Sequence, residues 1–186
     1  MRLIAVLITL LAAAPAWAQA PAPAPSPVTP VAPADTNDVR LSTPDSVIAN
    51  LYRVISGPAG QRRDWTFFQQ LFLPEGGLMA VGQRYRPGRG AYIHMTPASY
   101  AAGSGPYLEE RGFFERETHR EAAQYALVYH AFSTYESRAT PDAEPFARGI
   151  NSIQLVKQQG RWWVLSVLWT DEQSSGTPIP EAYRGR

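Results

Sequence analysis

The sequence contains no cysteine, so it can form no disulfide, supply no thiol nucleophile and carry no cysteine-linked lipid. Its net charge is only +1, which lacks the basic excess that nucleic-acid-binding domains usually show. The histidines, His94, His119 and His130, are scattered without metal-ligand spacing, and no G-x-S-x-G or phosphate-loop pattern is present. We therefore predict no metal, no cofactor and no nucleic-acid partner, and nothing in the sequence supports a serine hydrolase.

Long apolar runs are also scarce. One run, Leu3 to Ala14, follows Met1-Arg2 and precedes the small-x-small motif Ala16-Trp17-Ala18. A run this short behind a positive charge is typical of a secretory signal peptide, cleaved here after Ala18, and not of a membrane span. Lysine occurs only at Lys157, and the preference for arginine, alanine and proline favours a GC-rich bacterial genome. We expect a periplasmic or secreted bacterial protein without a transmembrane segment.

Proline and alanine dominate the next stretch, "QAPAPAPSPVTPVAPAD", from Gln19 to Asp35. Proline removes backbone donors and favours an extended chain, so this composition is typical of a disordered or semi-rigid spacer. The remainder is the right length for one folded domain. The expected organisation is a signal peptide at 1–18, a Pro/Ala-rich disordered spacer at 19–40 and a single domain at 41–186.

Helical patterns come first in the folded part. Thr43 is placed to cap a helix whose apolar residues recur at helical spacing until Gly57-Pro58. A second, shorter helix follows Asp64, with Phe68 in its apolar stripe. After residue 112, four runs rich in aromatic and β-branched residues are joined by short polar turns, which predicts antiparallel hairpins. Helices followed by a meander of strands give an α+β fold.

Three stretches make this order of elements recognisable: "DWTFFQQLFLPEGGLMAVG", "YALVYHAFSTYESR" and "GRWWVLSVLWTDE". With them, the chain from Thr43 to Tyr183 resembles the nuclear transport factor 2-like superfamily, which includes ketosteroid isomerase-like and polyketide cyclase-like enzymes. The resemblance implies a cone-shaped, strongly bent antiparallel sheet with N-terminal helices packed on its concave face. It implies no particular activity, because the superfamily carries many unrelated functions on one scaffold.

Alternate strand residues face opposite sides of a sheet, so the assumed hairpin closures sort the side chains. Closing the last hairpin at Gln158–Gly160 and the preceding one over Pro141–Glu144 pairs Asn151 with Val167 and with Thr134. The more apolar set, assigned to the concave face, is His130, Phe132, Thr134, Asn151, Ile153, Leu155, Trp163, Leu165, Val167 and Trp169. A turn near residues 120–123 adds Phe113, Glu115, Glu117 and His119. The convex set is Tyr129, Ser133, Tyr135, Arg148, Ile150, Ser152, Gln154, Trp162, Val164 and Ser166.

The concave set predicts a small-molecule pocket. Its expected members are Trp65, Phe68, Glu115, His130, Phe132, Thr134, Asn151 and Trp169. Aromatic surroundings raise the pKa of a carboxylate and allow it to act as a general base, so Glu115 and His130 are the candidate catalytic residues.

The resemblance to isomerase-like enzymes implies an acidic base that faces a tyrosine-type donor across the pocket. The nearest matches are Glu115 or Glu117 as the base and Tyr52 or Tyr107 as the donor. A competing interpretation places Glu115 and Glu117 at the rim, in ion pairs with arginines of neighbouring strands. The sequence leaves both interpretations open.

Three functions compete. The leading hypothesis is an exported domain that binds a small apolar or amphipathic molecule without catalysis. The second is an isomerase, dehydratase or cyclase, and the third is a protein-interaction module that uses the convex sheet. The aromatic and branched side chains assigned to that sheet, Tyr129, Tyr135, Ile150, Trp162 and Val164, also predict a homodimer through it.

Overall fold

The computed structural model describes residues 38–82 and 92–185. The expected signal peptide and most of the expected spacer lie outside the described residues. The first described element is a 3₁₀ turn at Val39–Leu41. The helices are α1 Pro44–Ile55, α2 Trp65–Gln70, α3 Pro97–Arg111 and α4 Glu172–Ser175, with a second 3₁₀ turn at Glu181–Tyr183. The strands are β1 Phe72–Val81, β2 Tyr92–Met95, β3 Phe114–Tyr125, β4 Val128–Arg138, β5 Ala147–Gln158 and β6 Arg161–Asp171.

The helices begin where the sequence predicts. Thr43 accepts from the backbone N–H of Ser46 at 3.1 Å and starts α1, while Asp64 accepts from that of Phe67 at 2.9 Å and starts α2. The apolar face of α1 is buried against the concave face of the sheet. An α+β fold with its N-terminal helices on that face is therefore confirmed. Within the ranges 38–82 and 92–185, no helix is long and apolar enough to cross a bilayer.

The six strands form one sheet in the order β2-β1-β6-β5-β4-β3. Four of its pairings are antiparallel, and β1 runs parallel to β6. The sheet is therefore mixed, whereas an entirely antiparallel one was expected. The parallel pairing arises because β1, which pairs with β2 along one edge, lies along its other edge beside β6, the last strand of the meander.

The β4–β5 hairpin corrects the predicted faces of β4. Asn151 lies opposite Ser133, one residue away from the expected Thr134. The strands close at Ser137 and Ala147, across a longer connection than the assumed four-residue turn. Because side chains alternate, this one-residue shift turns every side chain of β4 to the other face. His130, Phe132 and Thr134 consequently lie on the convex face, and Tyr129, Ala131, Ser133, Tyr135 and Ser137 lie on the concave face.

A bulge corrects the first half of β6. Leu155 pairs with Val164, although its neighbour Gln154 pairs with Ser166, so Leu165 is the extra residue. Val164 consequently faces the core, while beyond the bulge the predicted placement of Val167 and Trp169 on the concave face is correct. Trp162 is also in the core, and Trp163 instead stacks on the guanidinium of Arg161, 3.5 Å from the ring centre.

The β3–β4 hairpin is longer than predicted. Its strands pair as far as Tyr125 and Val128, well beyond the expected turn near residues 120–123. A bulge between Glu117 and His119 splits the strand into two registers. Glu115 and Glu117 face inward, as predicted, whereas His119 pairs with the outward-facing Thr134 and is on the convex side.

Candidate functional site

A cavity of about 560 Å³ lies between the concave face of the sheet and helices α1 and α3. Most of its wall is apolar, with the rings of Phe68 and Trp169 and the branched chains of Leu51, Ile153 and Val167 among the lining residues. A mainly apolar, preformed space with a few polar groups is the usual form of a small-molecule site. The polar groups of this cavity are not scattered over its wall, because several of them meet around Glu115.

Glu115 is the central ionisable group of the cavity. Its carboxylate accepts from Ser137 Oγ at 3.0 Å through Oε2 and from Asn151 Nδ2 at 3.4 Å through Oε1. Burial raises the pKa of Glu115 to about 7, although the two hydrogen bonds act in the opposite direction. Glu115 is also one of the residues that line the cavity. Near neutral pH, Glu115 can therefore both release and take up a proton.

Behind Glu115 lies a buried hydrogen-bonded row. Asn151 Nδ2 donates to the Tyr52 hydroxyl at 3.1 Å, and that hydroxyl lies 2.6 Å from Ser133 Oγ. Burial, reinforced by the charge of Glu115, raises the pKa of Tyr52 well above its usual range. Ser133 Oγ in turn donates to Glu117. Polar side chains this deeply buried are tolerated because each one has a partner.

Glu117 ends this row in an ion pair at the surface. Its two carboxylate oxygens accept from Arg120 at 2.7 and 2.6 Å, and Arg120 also contacts Asp45 of α1. The competing rim interpretation is therefore correct for Glu117. It is wrong for Glu115, because among residues 38–82 and 92–185 no arginine forms an ion pair with that carboxylate.

Tyr100, on α3, is a polar cavity residue that sequence reasoning missed. Its ring lies 5.4 Å from that of Phe68 and 6.4 Å from that of Trp169. Burial and the charge of Glu115 both raise the pKa of Tyr100, which places its hydroxyl within electrostatic reach of that carboxylate. Ser137 was missed because the predicted register of β4 was wrong by one residue, which placed its side chain on the convex face. The helical spacing of Pro97, Tyr100 and Leu108 was the signal that could have indicated Tyr100.

The eight predicted pocket residues divide into three groups. Phe68, Glu115, Asn151 and Trp169 line the cavity. Trp65 lies behind that wall, with its ring 5.6 Å from Phe68 and its Nε1 donating to Glu109 at 2.8 Å. The remaining residues, His130, Phe132 and Thr134, lie on the convex face. The grouping of residues around Glu115 is thus an observed geometry, and its role as a site stays a prediction.

The three misplaced residues have structural contacts of their own. His130 Nε2 lies 3.2 Å from Ser152 Oγ, and the Phe132 ring lies 5.5 Å from the Tyr183 ring. Thr134 Oγ1 donates to the backbone carbonyl of Tyr183 at 2.7 Å. A general-base role for His130 inside the cavity is therefore excluded by its position, and the C-terminal segment covers part of the convex sheet.

The tyrosines considered as donors differ in what they can offer. The Tyr52 hydroxyl lines the cavity but is engaged by Ser133 and Asn151. Tyr107 lies at the cavity mouth, exposed, with the guanidinium of Arg111 4.9 Å from its ring centre.

In the described part of the chain, no group of three or more His, Asp or Glu residues could hold a metal ion.

Comparison with known proteins identifies the fold. No family model matches the chain, and no curated protein matches its sequence. Among solved structures, a protein of unknown function with a cystatin-like fold from Nostoc punctiforme matches at 10% identity, over 70% of this chain and 90% of that one, with a TM-score of 0.54. An NTF2-like protein of unknown function from Pseudomonas putida matches at 10% identity over 76% and 89%, with a TM-score of 0.52. ActVI-ORFA from Streptomyces coelicolor matches at 16% identity over 69% and 93%, with a TM-score of 0.51.

The chain is thus an α+β protein of the cone-shaped class, with a cavity enclosed between sheet and helices. Its fold is the nuclear transport factor 2-like fold, also described as cystatin-like. At identities this low the comparisons establish the fold and nothing about activity.

Proposed function

We propose that this protein binds a small, mainly apolar molecule in the cavity and recognises one polar group of that molecule at Glu115. The observation that carries the proposal is the cavity of about 560 Å³, whose mainly apolar walls include the hydrogen-bonded polar cluster of Glu115, Ser137 and Asn151. Burial of ligand carbon against such walls supplies the binding free energy, and the polar cluster orients the ligand.

A variant that fills the cavity mouth tests this proposal. Gly103 of α3 lines the cavity, and a Cβ added there would meet no atom within 4 Å. We expect Gly103→Phe to fold normally and to weaken binding of the hydrocarbon tetralin at least about tenfold, because the new ring occupies ligand space. Isothermal titration calorimetry measures the affinity.

The matched control is Ala102→Phe, which adds the same ring to an exposed neighbouring position that does not line the cavity. It should leave the affinity for tetralin unchanged. Failure of the wild-type protein to bind tetralin and also its alcohol and ketone, or equal effects of the two substitutions, would refute a cavity-binding function.

General acid–base catalysis is the second candidate function, and the pKa of Glu115 near 7 is the observation that favours it. A base at this position would remove a proton adjacent to the carbonyl of a bound ketone. We expect such an enzyme to accelerate exchange of deuterium from solvent into β-tetralone, followed by NMR, and we expect Glu115→Gln to abolish the acceleration. Exchange at the rate of buffer alone would exclude this reaction for that ketone.

Export and self-association complete the proposal. The signal-peptide pattern supports export, and recovery of a chain that begins at Gln19 from the periplasm or medium would test it.

The homodimer has a weaker basis than the sequence suggested, because Tyr129, Tyr135, Trp162 and Val164 are on the concave face. Light scattering of the purified protein measures the mass, and a monomer would exclude the dimer.

A further inference from the structure

We propose that the cavity selects apolar molecules that carry a hydroxyl group over the matching ketones, because Asn151 presents its side-chain carbonyl oxygen to the ligand. This inference rests on the proposed binding function and specifies the chemical class of the ligand. Its basis is the direction in which protons are donated along the buried row from Arg120 to Asn151. Glu117, Ser133 and Tyr52 are the positioning residues of that row.

The ion pair of Arg120 and Glu117 at the surface sets the direction of proton donation along the row. Arg120 has donors and no acceptor, and it donates to both oxygens of Glu117. Each of these oxygens is therefore an acceptor. Ser133 Oγ, which contacts Glu117 Oε1, must donate its only proton to that oxygen.

The donation by Ser133 in turn fixes the hydrogen-bond roles of the next groups in the row, Tyr52 and Asn151. Since the proton of Ser133 is already donated, its oxygen can only accept from the Tyr52 hydroxyl, 2.6 Å away. The Tyr52 oxygen is then left as an acceptor for Asn151 Nδ2 at 3.1 Å. Tyr52 thus has no proton to offer a ligand, although it lines the cavity. A guanidinium at the surface consequently fixes which way a buried amide points.

The amide of Asn151 shows the result of this constraint. Its Nδ2 faces both Tyr52 and Glu115, so Oδ1, on the other branch of the planar amide, points away from these two partners. Asn151 is only 7% exposed and lines the cavity, and within the described part of the chain its Oδ1 accepts no hydrogen bond. Oδ1 is also not among the buried polar atoms that are sealed off without a partner, so it remains accessible from the cavity.

A hydroxyl group fits this wall better than a carbonyl group does. The O–H of an alcohol or phenol can donate to Asn151 Oδ1, and its oxygen can accept from the carboxyl proton of Glu115. A ketone can accept from Glu115 but has nothing to donate, so its oxygen lone pairs and those of Oδ1 oppose one another. Burial of an acceptor without a donor is costly, which is the source of the selectivity.

Three compounds with one carbon skeleton test this inference: tetralin, its alcohol β-tetralol and its ketone β-tetralone. We expect calorimetry to show the alcohol binding about tenfold more tightly than the ketone, which corresponds to one satisfied hydrogen bond. Equal affinities, or tighter binding of the ketone, would overturn the inference while leaving the cavity function intact. Failure of all three compounds to bind would instead refute the proposed function.

Glu117→Gln tests the directional row at a residue outside the cavity lining. The new amide can donate to Ser133, which allows the row to reverse and Asn151 to turn its NH₂ group toward the ligand. We expect the alcohol-to-ketone affinity ratio to fall from about ten to about one. Glu136→Gln is the matched control, because Glu136 also accepts from arginines, Arg138 and Arg148, but contacts no member of the row. It should keep the ratio.

A second variant protects the test against misfolding. Ser133→Ala removes one oxygen and interrupts the row between Tyr52 and Glu117. Circular dichroism and tetralin binding report whether the cavity has formed in each variant. Glu117→Gln decides when it is folded, and Ser133→Ala decides in its place when it is not. A wild-type ratio in the deciding variant would overturn the role of the row, and a reduced ratio would support it, because a merely structural role would weaken alcohol and ketone equally.

Discussion

Arg63→Met should lower the free energy of unfolding by about 4 kcal/mol, the largest effect of a single substitution that we expect in this protein. Arg63 is 8% exposed, and its guanidinium donates to backbone carbonyls of several segments. Nε donates to the carbonyl of Ile55 at 3.1 Å, and Nη2 donates to that of Gly57 and, at 3.3 Å, to that of Leu108. These carbonyls lie near the C-terminal ends of α1 and α3, where the helices leave them without internal partners.

Methionine preserves most of the packed length but donates nothing, so every guanidinium hydrogen bond of the site is lost. The Gly57 carbonyl keeps the backbone N–H of Phe113, at 3.0 Å, as its second donor. Burial lowers the pKa of Arg63, and the charge of nearby Glu109 partly offsets this. Urea denaturation monitored by circular dichroism measures the loss.

Arg62→Met is the control for Arg63→Met, because Arg62 is the adjacent arginine and is exposed. We expect it to change the free energy of unfolding by less than about 0.5 kcal/mol. A loss of less than about 1 kcal/mol in Arg63→Met would mean that water replaces the guanidinium and that Arg63 does not join α1 to α3.

Glu115→Gln should stabilise the protein at alkaline pH and leave it almost unchanged in acid. The folded-state pKa of Glu115, about 7, is raised above the ordinary value of 4.5. Below pH 4.5 the carboxyl group is neutral in both states and costs nothing. Between pH 4.5 and 7 the unfolded state ionises first, so folding becomes less favourable as pH rises, and above pH 7 the penalty is constant.

At about 1.4 kcal/mol per pH unit, this shift corresponds to an upper limit of about 3 kcal/mol gained by the glutamine variant above pH 7. Glutamine keeps one oxygen, which can accept from Asn151, and its NH₂ group can donate to Ser137 Oγ, so both contacts of the site can persist. Denaturation in urea at about pH 4, 6 and 8 gives the difference between variant and wild type across the window.

Glu110→Gln, at an exposed glutamate of α3, controls for the loss of one negative charge. Its effect should be small throughout the window. If the Glu115→Gln difference were the same at all three pH values, the carboxyl group of Glu115 would be well solvated in the folded protein, and general acid–base catalysis at this residue would lose its main support.

The accuracy of the sequence-based predictions varied with the range of the interactions involved. The starts of α1 and α2 were predictable because Thr43 and Asp64 act within one helical turn. The inward placement of Glu115 and Asn151 was also correct, since each lies on a strand whose alternation was assigned correctly at that position. His130, Phe132 and Thr134 were misplaced together, because a single loop length sets the register of the whole of β4.

The bulge in β6 also caused errors in the predicted faces. The extra residue lies opposite Gln154 and Leu155. After it, Val167 and Trp169 lie on the expected concave face, whereas before it Trp162 and Val164 face inward, contrary to the prediction. A local sequence pattern does not indicate such a bulge, because it depends on how the strand bends over the helices. The predicted convex aromatic surface, and with it much of the argument for a homodimer, depended on this register.

By itself, the sequence determined the α+β class, the helix starts and the presence of an apolar concave face, because capping and periodicity are local and chemical. Only the tertiary structure decided that Glu115 lies with Ser137 and Asn151 in the cavity, that Glu117 is held by Arg120 at the surface, and that Tyr52 links the two groups. These contacts join residues far apart in the chain, and each depends on a strand register that one residue more or less would reverse.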